Sequence, residues 1–320
     1  MKRFLLQYQM FRISLKENAA VYHFHDPELI LLGLILKVFK KKVIYDVHEN
    51  VSKQILTKEY IPFSLRKIIS LLVRFIEYLS LFFFDKIIIA GEDIGFQCHF
   101  RRFLRKIVLL RNFPTISLSE RDIFPKARDK VTFIYSGGLS RDRGILEIIQ
   151  AFKKVKNIDI KLLLLGSFTS DNFKKTVMDE IDGVENIEFI PAVSYMEMFT
   201  LLAKCHVGLI CFHPTSNNIE ALSGRNNKIY EYMQAGLAII GSNFPRWKDF
   251  IEGNRIGITV DSQNVSDIKS AIEFLISNPK VLEEMGYNSK RLSKNYSWEA
   301  ESKKLINLYN KLLGEGNRNE

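Results

Sequence analysis

Lys228-Ile229-Tyr230-Glu231-Tyr232-Met233-Gln234-Ala235-Gly236 runs directly into Leu237-Ala238-Ile239-Ile240-Gly241-Ser242, and this junction decides the fold class. The first nine residues read as a helix closed by glycine, and the next six as a buried strand of short aliphatic residues. A helix that hands the chain to an apolar strand is half of a parallel βαβ unit. Lys228 and Glu231 stand three apart and share one helical face. That spacing suits either an ion pair on a solvated surface or a pair of contacts to a ligand bearing phosphate and hydroxyls.

Working outward, short aliphatic or β-branched runs alternate with helical patterns along the whole chain. They predict strands at 20–25, 43–48, 86–90 and 107–111, then at 131–137, 160–166, 187–191, 207–212, 237–242 and 257–260. Near-continuous apolar strands between helices mean parallel sheets covered on both faces. The expected architecture is α/β, two Rossmann-like doubly wound parallel-sheet domains. Pro114, Pro125 and mixed charges place the join within 112–130. The expected division is 1–118, 119–296 and a terminal helical segment 297–320, whose last seven residues read as a frayed tail.

Composition bounds the function. With 320 residues, 47% hydrophobic and 26% charged, the chain is globular and large enough for two cores. The net charge of +10 is one-sided: residues 1–130 hold 23 basic and 13 acidic residues, giving +10, and residues 131–320 hold 23 of each. A basic first half fits a surface kept for solubility or contact with an anionic membrane leaflet. No nucleic-acid motif accompanies it. Cys98, Cys205 and Cys211 show neither metal spacing nor a paired framework, which predicts free thiols in a reducing cytoplasm. The first nine residues lack the apolar core and cleavage site of a secretion signal.

Ligands of doubly wound sheets sit beyond the carboxyl ends of the strands, so polar residues there draw notice. The first strand ends in His23-Phe24-His25-Asp26-Pro27 and the second in Asp46-Val47-His48-Glu49. His25 and His48 are candidates for chemistry, while Asp26 and Glu49 equally suit helix caps. After the first strand of the later domain comes Ser136-Gly137-Gly138-Leu139-Ser140-Arg141-Asp142-Arg143-Gly144-Ile145. Paired glycines allow close backbone approach, and a guanidinium at a helix start suits a diphosphate.

Taken together, 23–29, 45–49, 136–145, 228–236, Ser242-Asn243-Phe244-Pro245 and Tyr296-Ser297-Trp298 resemble, in order and spacing, the GT-B-fold retaining glycosyltransferases of family four. The resemblance implies that the two domains face a cleft, and that the substrates are a nucleotide-sugar donor and a glycan or lipid-linked acceptor. Glu231 matches the second acid of the family's Glu-x7-Glu pattern, which holds the donor ribose hydroxyls. Arg143 matches the diphosphate-neutralising base, Lys228 assists it, and Gly138 lets the loop approach the sugar phosphate. His25 matches the histidine near the transferred sugar, and His48 lies where acceptor-side residues gather. The segment 190–193, ending in Val193, lies where backbone meets the nucleotide base. No cofactor is expected, and no Asp-x-Asp metal pattern is present, so metal independence is expected.

The chain departs from the family pattern in three places. Ser223 stands where the first acid of Glu-x7-Glu falls. Leu139 replaces a second basic residue, leaving Arg143 more of the phosphate charge. Only some eighteen residues precede the first strand, so the N-terminal domain is expected to be incomplete. The rival expectation is a catalytically impaired nucleotide-sugar-binding or membrane-associated remnant, or one subunit of a split enzyme.

One segment, 66–84, carries many large apolar residues but also Arg74 and Glu77, too interrupted to span a bilayer. It predicts a helix packed on the first sheet. The sharper reading is contact with the cytoplasmic membrane face, aided by the lysine run 40–42 and by Arg101 and Arg102. Three further helices are expected at 266–276, 279–292 and 298–313, the last returning toward the first domain.

Overall fold

The computed structural model describes residues 2–47, 51–56, 61–91, 101–115, 130–156, 159–219 and 227–314. The architecture is α/β with two all-parallel sheets. Two compact units are distinguished, Met1–Asn112 with Ser223–Arg225 and Ala300–Glu320, and Phe113–Leu222 with Asn226–Glu299. The expected junction at 118/119 and the tail 315–320 lie outside the described residues.

The first unit contains α1 (Lys2–Glu17), β1 (Val21–Phe24), α2 (Ile30–Val38), β2 (Lys42–Val47), α3 (Val51–Ile55), α4 (Phe63–Phe83), β3 (Lys86–Ile89) and β4 (Ile107–Leu109). The strands pair in the order β1-β2-β3-β4, with Phe24 opposite Tyr45 and Asp46 opposite Ile88. Its core is built on Phe24, Tyr45 and Phe84, whose rings lie 5.1 to 6.0 Å apart. Gly33 on α2 leaves the space the Phe24 ring fills. Asp85 ties the layers, accepting from Lys37 Nζ at 2.6 Å and from the Val43 amide at 2.8 Å. Burial works against its ionisation, but these donors outweigh it and hold the carboxyl below its ordinary value.

The reading of 66–84 as a helix with its apolar face packed on the sheet is corrected. α4 turns Glu77, Ser80 and Leu81 inward, and Ile68, Leu71, Leu72, Phe75, Leu79 and Phe82 outward. The Glu77 carboxylate accepts from the buried Tyr45 hydroxyl at 3.0 Å, and Leu81 and Phe84 enter the core. These anchors fix the rotation of the helix, and the wider apolar arc is left facing away from the core. Among the described residues, no helix is long and apolar enough to cross a membrane.

The second unit carries β5 (Val131–Ser136), α5 (Ile145–Lys154), β6 (Ile160–Gly166), α6 (Asp171–Ile181), β7 (Ile187–Pro191), α7 (Tyr195–Ala203) and β8 (Val207–Ile210). There follow α8 (Ser216–Ile219), α9 (Asn227–Gln234), β9 (Ala238–Ser242), α10 (Pro245–Ile251), β10 (Gly257–Val260), α11 (Val265–Ser277) and α12 (Pro279–Ser293). The sheet order is β10-β9-β8-β5-β6-β7. From β5 the chain winds outward through β6 and β7, then restarts at β8 on the other side. The switch point therefore lies between β5 and β8, and ligands of such sheets sit beyond the carboxyl ends of the strands there. β8 ends two residues before its expected limit, because the Phe212 carbonyl accepts from the hydroxyls of Ser242 (2.8 Å) and Ser262 (2.7 Å) instead of continuing the ladder.

A large core fills this unit, with Phe133, Phe152, Tyr232 and Trp247 fully buried. Cys205 and Cys211 are buried free thiols, burial pushing Cys211 up to about 12. Cys98 lies outside the described residues. The last helix, α13 (Trp298–Leu313), contributes its residues from Ala300 onward to the first unit. There a buried Glu301 carboxylate accepts from the Arg111 amide at 3.1 Å.

Candidate functional site

At the switch point, α9 runs beneath the loop that leaves β5. The Ser136 amide donates to the Tyr232 hydroxyl at 2.8 Å, which fixes the helix against the strand end. Gly137 has φ +124°, and a Cβ there would overlap the Lys228 ammonium. The torsion favours glycine at 137, and any side chain there would also displace the Lys228 ammonium. Gly138 has no other atoms near the place a side chain would occupy, so its face is open, and its carbonyl accepts from Tyr135 at 2.6 Å. Leu139 is fully buried, which explains why no basic side chain stands there.

Arg143 ends a single 3₁₀ turn, Arg141–Arg143, and Gly144 at φ +69° starts α5 where a Cβ would strike the Cys211 carbonyl. The guanidinium lies 4.3 Å from the Phe212 ring centroid, and Lys228 Nζ lies 5.9 Å from the same centroid and from that of Tyr135. Two cations thus share one aromatic platform. Burial, followed by the nearby Arg143 charge, pushes Lys228 down to about 8, against the attraction of Glu231. Glu231 is only 8% exposed, and burial raises its carboxyl, against the pull of Lys228. The surface ion-pair reading of these two residues is therefore excluded. A largely buried lysine and a half-buried arginine beside an open loop gain from an anion that arrives with its own charge.

The loop is held by residues that sequence reasoning did not single out. The Asp142 carbonyl accepts from the His213 amide (2.8 Å) and from Asn218 Nδ2 (3.2 Å), and the Asp142 carboxylate bonds Ser140 and lies 3.7 Å from Arg143. Burial opposes ionisation of Asp142, but these partners prevail and lower its pKa. His213 Nε2 in turn meets Glu147 at 3.2 Å. The segment after β8 thus clamps the segment after β5. Val193, 37% exposed, follows β7 on the strand-end side of the same sheet, just before the Ser194–Glu197 capping box of α7.

A separate cluster stands in the first unit, where β1 and β2 end. His23 Nε2 and His25 Nδ1 each lie 3.3 Å from Asp46 Oδ2, and the Tyr309 hydroxyl is 2.6 Å from His23 Nδ1. Asp46 and His23 are shielded, whereas the His25 side chain is 58% exposed. Both neighbours are satisfied when Nε2–H donates to Asp46 and Nδ1 accepts from Tyr309. The period-two alternation puts His23 and His25 on one face, but Asp46 joins them only through the β1/β2 register. The three residues have ligand atoms within 4.8 Å of one another, close enough to hold a metal ion. Asp26 starts the turn Pro27–Leu29 without a side-chain cap bond. His48, Glu49 and Ser223 lie outside the described residues.

The family model for glycosyl transferases group 1 matches residues 118–292. The chain belongs to that family. It is 26% identical over 195 residues, 58% of its own length and 48% of the other, to the capsular polysaccharide biosynthesis glycosyltransferase CapM of Staphylococcus aureus. The chain spans about half the length of the curated relatives it matches. Its fold is that of a sucrose-phosphate synthase from Thermosynechococcus elongatus, with TM-score 0.72, 17% identity, and 97% of this chain and 77% of that one covered. Anabaena Alr3699/HepE, solved in complex with UDP, matches with TM-score 0.70 and 14% identity over 96% of this chain and 82% of that one. The GT-B fold is thereby established.

Proposed function

We propose that this glycosyltransferase moves a sugar from a nucleotide-sugar donor to a glycan or lipid-linked acceptor with retention of configuration, in cell-surface polysaccharide or glycolipid synthesis. The observation that carries the reading is the pair of cations, Arg143 and Lys228, gathered on the Phe212 ring at the switch point beside the open Gly138. The UDP bound to Alr3699/HepE and the role stated for CapM support the choice of donor and pathway class.

In this mechanism the bond from the anomeric carbon to the diphosphate breaks with its electron pair leaving on oxygen. Arg143 and Lys228 stabilise that charge without reorganising, since they are fixed before the donor arrives. The acceptor oxygen bonds the same face of the sugar, and its proton passes to the departing phosphate. Glu231 accepts from the ribose hydroxyls, and the backbone near Val193 meets the base. His25 and His48 serve the transferred sugar and the acceptor. The reaction runs without a metal ion, in the cytoplasm at the membrane face.

A thermal-shift screen with UDP, GDP, ADP and their sugars tests the reading, because a ligand that binds only the folded state stabilises it. One nucleotide is expected to raise the unfolding midpoint, and its sugar ester to yield a product of unchanged anomeric configuration by NMR. No shift with any of them would remove the proposed donor site.

A further inference from the structure

α4 is turned the opposite way from a helix that packs its apolar stripe on a core. Its inward face holds a carboxylate and a hydroxyl, Glu77 and Ser80, both hydrogen-bonded. Its outward face holds Ile68, Leu71, Leu72, Phe75, Leu79 and Phe82, each 41–65% exposed. At 3.6 residues per turn these six fall within an arc of about 100°. The stripe runs from Ile68 to Phe82 within this 21-residue helix and so extends along roughly 21 Å. Beside it packs α2, with Leu31, Ile35 and Val38 also exposed.

Along α2, α4 and the turn Arg101–Lys106 the exposed charge has one sign. Lys67 and Arg74 are exposed on the edge of the stripe. Arg102 lies 5.4 Å from the Phe82 ring centroid, and Lys106 donates to the carbonyls of Leu81, Phe82 and Phe84, which end the helix. Across α2, α4 and the turn Arg101–Lys106 the one carboxylate is Glu77, which faces inward. A soluble protein partner of ordinary composition would meet no acid to pair with its own lysines here. A bilayer with anionic headgroups supplies both missing halves, an apolar layer for the stripe and negative charge for the rim.

We propose that α4, flanked by α2 and the 101–106 turn, is a monotopic docking surface for a membrane containing anionic lipid. The helix lies in the interfacial plane, with the stripe among the upper acyl segments and Lys67, Arg74 and Arg102 at headgroup level. The surface stands independently of the donor site; only its use in reaching a lipid-linked acceptor rests on the proposed glycosyl transfer.

The full chain is sedimented with vesicles of phosphatidylcholine alone and of phosphatidylcholine mixed with phosphatidylglycerol. Binding to the mixed vesicles at low salt is expected, weakening as salt rises. Leu72→Glu combined with Phe75→Glu is expected to lower the partition coefficient about 100-fold, and Lys67→Gln combined with Arg74→Gln about tenfold or more. Both changes are on exposed positions, so the thermal midpoint and the shift caused by nucleotide should stay as in the parent. Failure to bind the mixed vesicles overturns the proposal, as does binding indifferent to the α4 changes. A dimer in analytical ultracentrifugation that Leu72→Glu with Phe75→Glu dissociates would also overturn it, since a second copy would then cover the stripe. None of these failures touches nucleotide binding, which the thermal shift reads separately.

Discussion

The two units solve the same problem, covering a parallel sheet with helices, and reach different surfaces. In the second unit the six-stranded sheet has a switch point, and the residues gathered there include a shielded lysine and a shielded carboxylate. In the first unit the four described strands follow in sequence order, and the longest helix leaves its apolar arc in the open. Polar groups are hidden in one unit and apolar groups exposed in the other. Each inversion has a cost, since burying a charge or exposing a large aliphatic chain each forgoes on the order of 1–3 kcal/mol. Such costs mark places where a surface serves a ligand.

The comparison breaks first at Arg143. Arg143→Ala should lower turnover about 10²- to 10³-fold, the loss seen when one fixed donor to a developing oxyanion is removed. Steady-state kinetics check this, and a loss below tenfold would move the diphosphate seat elsewhere.

Asp46→Asn sharpens the other side. If Asp46 holds His25 in place, turnover should fall about ten- to a hundredfold with donor KM nearly unchanged. A change confined to KM, or to the unfolding midpoint, would make the cluster structural.

Lys228→Met is the smaller, two-signed test. The native lysine is pushed down to about 8 from 10.5, so between those values the unfolded chain binds more protons and stability rises with pH. Below pH 8 the full burial cost is present. The methionine variant without ligand should therefore melt higher than the parent near neutral pH, by about 2–4 °C, and the difference should vanish above 10.5. Its donor affinity should nonetheless fall. In the parent above pH 8, nucleotide binding should take up a proton, visible as buffer-dependent binding heat.

The smallest expected effect is that of metal removal. Dialysis against EDTA should leave turnover unchanged, and a loss restored by a divalent ion would assign the His23, His25 and Asp46 group to metal binding.

The sequence carried the sheets well, because each strand is a short aliphatic run with a helical period on either side. Lys228, Glu231 and Arg143 were visible singly, by spacing and by the glycines near them. Phe212, which gathers both cations, was not, because it leaves β8 only where two serine hydroxyls capture its carbonyl. The partnership of His23 with Tyr309 spans 286 residues and has no local signal. For α4 the periodicity showed a stripe but not its direction. That was set by the Glu77–Tyr45 hydrogen bond, which let a carboxylate face the core, together with Leu81 and Phe84 in the core.

The most direct test is isothermal titration of UDP, GDP and ADP into the parent protein, Arg143→Ala and Glu231→Ala. The account predicts that at least one nucleotide binds the parent and that both variants bind it at least about tenfold more weakly. Unchanged affinity in both variants, or no binding to the parent, would contradict it.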